Sequence, residues 1–98
     1  MQNRNQFSFS ADVWRWPGAS GWHFVNIDKA LSEKVRKQSK PYGAGFVKVR
    51  VTLGSSTWIT ALFPQKISSS YILSIKKSIR QKEDVWEGNH TKLSFTLV

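Results

Sequence analysis

Eight of the 15 lysine and arginine residues fall in two short windows: Lys34, Arg36, Lys37 and Lys40 in one, Lys76, Lys77, Arg80 and Lys82 in the other. Cations at helical spacing can grip phosphate oxygens, Arg through a two-pronged fork and Lys as a point charge. Taken singly, each is also an ordinary solvated helix residue, and Arg80 has Glu83 and Asp84 three and four residues on as ion-pair partners. The sum is what points to a partner. Against 6 Asp and Glu, the 15 cations leave a formal charge of +9 on 98 residues. The expected binding residues are Arg36, Lys37, Lys76, Lys77 and Arg80, and the expected partner is nucleic acid or another polyanion.

The second unusual component is tryptophan, at positions 14, 16, 22, 58 and 86. Trp22 and Trp58 lie in strand-like stretches and are expected in the core, where large aromatics supply volume to a short chain. Trp14 and Trp16 lead into Pro17-Gly18 at a strand end, so they are the candidates for an aromatic groove where a planar ligand could stack.

Other chemistry has little support. The absence of Cys removes disulfides, thiolate nucleophiles and sulfur-ligated metals. His23 and His90 are far apart and lack the spacing of a helical metal pair, so both are expected on the surface and no metal is expected. No two carboxylates are forced into one cleft. The serine runs 55–56 and 68–70 lack a Gly-x-Ser-x-Gly elbow, and Gly43-Ala44-Gly45 is too short for a phosphate loop. No catalytic residue or cofactor is expected, and the chain reads as a non-enzymatic binding domain. A barrel binding a small ligand or a protein partner through its aromatic groove is the alternative, and an uncharacterised enzyme the second alternative.

The elements that position these residues follow from the apolar period. Val47, Val49, Val51 and Leu53 alternate with polar residues, as do Leu93, Phe95 and Leu97, which gives two strands with one wet face. Four further strands are predicted over Phe7 to Trp14, Trp22 to Ile27, Thr57 to Phe63 and Tyr71 to Leu73, several of them apolar on both faces. Two short helices are predicted, Asp28 to Ser39 with Asp28 or Ser32 as N-cap, and Ser74 to Lys82 with Ser74 as N-cap. The two halves repeat the order of elements, and paired strands recur at a spacing of 46 residues, which suggests an internal duplication.

Ordered motifs in the second half carry a resemblance: Trp58-x-Thr60-x-Leu62-Phe63-Pro64, then Tyr71-Ile72-Leu73, Lys76-Lys77-x-Ile79-Arg80 and Gly88. With Trp22-x-Phe24-Val25-x-Ile27, Ser32 and Val47-x-Val49-x-Val51 from the first half, they resemble the small bacterial domain of unknown function 1905 family. The resemblance implies a mainly β fold with two short helices, a six-stranded double-split β-barrel with pseudo-twofold internal symmetry, distantly AbrB-like. It implies no activity and no catalytic residues. The chain departs from the family pattern at Asp28 and Ser74, where proline is common, and at Asn89, where aspartate is common. The expected organisation is a disordered tail over residues 1–6 and one barrel domain over 7–98. The protein is expected to be monomeric and cytoplasmic, with no membrane span.

Overall fold

Inward apolar and outward polar side chains alternate along most of the sheet, which fixes which face each residue takes. The computed structural model describes residues 6–43, 45–65 and 68–98. In chain order they form β1 (Gln6–Asp12), β2 (Trp14–Arg15), β3 (His23–Asn26), α1 (Lys29–Gln38), β4 (Val47–Leu53), β5 (Ser56–Gln65), β6 (Ser70–Ser74), α2 (Lys77–Glu83) and β7 (His90–Leu97). The tail expected over 1–6 lies outside the described residues except for Gln6, which opens β1.

The protein is mainly β with two helices, but strand number and closure differ from the expectation. Seven antiparallel strands in the order β1-β7-β4-β5-β6-β3-β2 curl into a half-barrel, not a closed six-stranded barrel. The cause lies at Val13. The segment expected as one strand pairs with β7 as far as Asp12, then with β3 from Trp14. Between them Val13 bonds to neither strand: its N–H donates to Asn89 O, and its carbonyl accepts from Gly88 N. One stretch of chain therefore supplies both edges of the sheet.

The core fills the concave face with Phe95, Leu62, Val49, Val51, Leu93 and Trp58 among others. Phe95 stacks on Phe7 at 5.2 Å and meets Phe9 edge-on at 6.0 Å. Phe24 and Ile72 are also buried but lie outside this cluster, on the convex face.

Asp28 caps α1, its Oδ1 accepting from Leu31 N at 2.7 Å. Ser32, the other candidate cap, is fully buried instead, donating from Oγ to Ile27 O and accepting from Tyr71 N, both at 3.2 Å. The cap expected for α2 is corrected. Ser74 closes strand β6, opposite Phe24, and the N-cap is Lys76, whose side chain makes no capping bond. Between β3 and β6, Ile27 N donates to Tyr71 O and Ile75 N to His23 O. These matching residues lie 48 apart, as do the caps Asp28 and Lys76, so the register of this strand pair is 48 rather than 46.

Candidate binding site

The convex face of β2 and β3 carries an aromatic cluster. Trp14 pairs with Phe24 across the ladder, and Trp16 N donates to Trp22 O at 2.8 Å. Since i and i+2 share a face of a strand, Trp14, Trp16, Trp22 and Phe24 all project together. Phe24 is the hub: its ring centre is 5.0 Å from Trp14, 6.1 Å from Trp16 and 6.0 Å from Trp22, the last nearly parallel at 13°. Trp14 is held by a bond from its Nε1 to Asn26 Oδ1 at 2.8 Å. Trp16 and Trp22 are 48% and 52% exposed.

Trp22 therefore corrects the expectation of a core residue, whereas Trp58 is buried as expected, opposite Val51. Of the two tryptophans expected in an aromatic groove, only Trp16 lines one. Trp16, Trp22, Phe24, Phe63, Pro64 and Ile72 line a groove of about 460 Å³, while Trp14 lies behind as support. Gln65 stands at its edge.

Beside this groove lies a cleft of about 330 Å³ with Lys76, Lys77, Arg80 and His23 in its walls. Ser20 and Trp22 belong to both the cleft and the groove. Arg80 is anchored by Nε to Ile75 O at 3.1 Å and by Nη2 to Gly21 O at 3.5 Å. Partial burial pulls its guanidinium below the usual arginine value, although arginine remains a cation at any physiological pH. The ion pairs expected with Glu83 and Asp84 do not form, because Glu83 turns to the β4–β5 connection and bonds Ser55 and Ser56. His23 is buried rather than on the surface. Its Nδ1 lies 2.6 Å from Gly21 O, and since a carbonyl only accepts, that nitrogen carries the proton. His90 is exposed and pairs with Asp12 at 2.7 Å.

The five cations expected to bind together divide into two groups. Lys76, Lys77 and Arg80 share the cleft, while Arg36 and Lys37 are on α1. That helix begins beside Tyr71 and α2 beside His23, at opposite ends of the antiparallel β3–β6 pair, roughly 13 Å apart at the usual rise per residue. Arg36 is also engaged: Nη1 pairs with Glu33 at 3.0 Å, Nη2 donates to Ser69 O at 3.0 Å, and its guanidinium lies 5.5 Å from the Tyr71 ring centre. Lys37 is exposed on α1. Spacing along each helix was readable in the chain, but the distance between helices is a tertiary property. Among the described residues, no three His, Asp or Glu side chains come together as a metal site, and no helix is long and apolar enough to cross a membrane.

The chain belongs to the family described as domain of unknown function DUF1905, whose family model matches residues 9–94. Among curated proteins no match is found.

Proposed function

We propose that this member of the DUF1905 family is a monomeric binding domain for an anionic ligand with a planar aromatic part, of the nucleotide type. The ligand's ring stacks in the groove between Trp16 and Trp22, and its phosphate lies in the neighbouring cleft against Lys76, Lys77 and Arg80. The observation that carries this reading is that Trp22 and Ser20 form part of both walls, so a cationic and an aromatic subsite adjoin. Stacking on an aromatic side chain supplies about 1–3 kcal/mol per base, and charge-assisted bonds to phosphate supply the rest. The site's ammonium and guanidinium groups are donors only and its serine hydroxyls can donate, which suits holding an anion.

This reading replaces two basic helices acting jointly on one polyanion with α2 alone, and merges the polyanion and aromatic-groove alternatives into one composite site. An internal twofold relation between the two strand-to-helix junctions is its structural frame, supported by the reciprocal bonds of Ile27 and Ile75. Tryptophan emission provides the test, with thymidine monophosphate, thymidine and inorganic phosphate as probes. The monophosphate should quench emission and bind roughly tenfold or more tightly than either fragment, and its affinity should fall with added salt. Equal affinity for thymidine and its monophosphate would leave the cleft without a role.

A further inference from the structure

The aromatic path continues past the groove. Phe63 meets the Phe46 ring edge-to-face at 5.3 Å, and Phe46 meets Tyr42 in the same manner at 6.1 Å. Tyr42 and Phe46 close a tight hairpin through Tyr42 N to Phe46 O and Phe46 N to Tyr42 O, both at 2.9 Å. A Cβ placed on Gly45 would come 3.3 Å from Pro64 Cγ, so this hairpin is laid closely against β5. Tyr42 nonetheless stays 51% exposed, with its ring at the end of the path.

Positive charge returns at that end. Lys40, Tyr42 and Lys48 wall a second cleft of about 360 Å³, which also contains Ser39. The Ser39 hydroxyl is buried and has no hydrogen-bond partner among the described residues. Lys48 and Arg50 project from β4 beside Ala61 and Ile59 of β5, so Arg50 adds a further cation to the same face as Lys48.

Resting on the reading above, we infer that the ligand is a single strand of nucleic acid several nucleotides long. It runs from the α2 cleft over Trp16 and Trp22, along Phe63 and Phe46, to a second stacking station on Tyr42. A run of aromatic faces with cations at both ends matches the bases and phosphates of a short strand. A duplex does not fit this path, because its bases are already stacked and its ring faces are hidden.

The test is a length series of oligothymidylates, from the mononucleotide through the dinucleotide and tetranucleotide to the octanucleotide, titrated at fixed low salt by tryptophan quenching. Affinity should climb by roughly tenfold or more from the shortest to the longest, since a second stacked base and further phosphates engage. Tyr42→Ala should remove that climb while leaving thymidine monophosphate affinity unchanged, and Tyr42→Phe should restore it. A flat length series with normal mononucleotide binding overturns the extended path and leaves the composite site standing. No quenching by any member overturns both. A duplex octamer, or a polyglutamate of equal charge, that binds as tightly as the single strand would show that charge alone is read and would also overturn the inference.

Discussion

Ser32 and Arg80 perform the same task at opposite ends of the β3–β6 pair. Ser32 Oγ donates to the carbonyl of Ile27, five residues back, and Arg80 Nε donates to the carbonyl of Ile75, also five residues back. Each satisfies the carbonyl at the point where a strand gives way to a helix, a group that would otherwise be short of a partner. The two side chains differ in what remains. The Ser32 hydroxyl is completed by Tyr71 N and is fully buried, whereas the guanidinium has further N–H groups available to the cleft.

Ser32→Ala should therefore destabilise the fold without touching ligand binding. It leaves Tyr71 N and Ile27 O without their side-chain partner in the interior, which costs about 1–3 kcal/mol. Urea unfolding measures this, with an unchanged slope and an earlier midpoint expected. Wild-type stability in this variant would mean that water replaces the hydroxyl.

Arg80→Lys should show the opposite division. Lysine keeps the charge but loses the fork that bonds Ile75 O and Gly21 O while facing the cleft. Thymidine monophosphate affinity should drop roughly tenfold, with stability changed by no more than about 1 kcal/mol. Binding at the wild-type level, measured by the same tryptophan quenching, would remove Arg80 from the site.

Two tryptophans in similar sequence settings should respond very differently to truncation. Trp58→Ala opens a hole among the core residues and should cost about 3–5 kcal/mol. Trp22→Ala removes a half-exposed ring whose main neighbour is Phe24, so the expected loss is in ligand binding, with a melting temperature close to wild type. Paired melting and quenching curves for the two variants decide the matter. Similar destabilisation in both would place Trp22 in a structural role.

The contrast also marks where sequence reading succeeds. Strands β4 and β7 were legible because only one face of each is apolar. In β3 and β5 both faces are apolar, so alternation separates Trp22 with Phe24 from Val25 with Ile27 but does not tell which set faces inward. The curl of the sheet decides that. The break at Val13 leaves no trace either, since Phe7, Phe9 and Val13 keep the inward period while the hydrogen-bond partner changes from β7 to β3. Asp28 was readable as a cap because its neighbourhood leaves it free, while Ser74 was not available, being held in the β6 ladder. The candidate site was legible as two components, cations and tryptophans, but their adjacency depends on the Ser20–Trp22 turn meeting α2.

Glu83 should give the fold a distinct acid dependence. Its carboxylate accepts bonds from Ser56 Oγ, Ser55 N and Ser55 Oγ, and these bonds, Ser56 foremost, hold its pKa below the usual glutamate value. A group whose pKa is depressed in the folded state contributes its stability above the unfolded-state value and loses it as pH falls through the folded one. Unfolding midpoints should thus decline on acidification from the ordinary glutamate range downward, and Glu83→Gln should flatten that part of the profile. The variant should also loosen the β4–β5 turn, because Ser55 N, Ser55 Oγ and Ser56 Oγ lose their charged acceptor. Urea midpoints for wild type and Glu83→Gln across the acid range check the claim. Parallel profiles would show that the three serine contacts do not distinguish the charged carboxylate from the neutral amide.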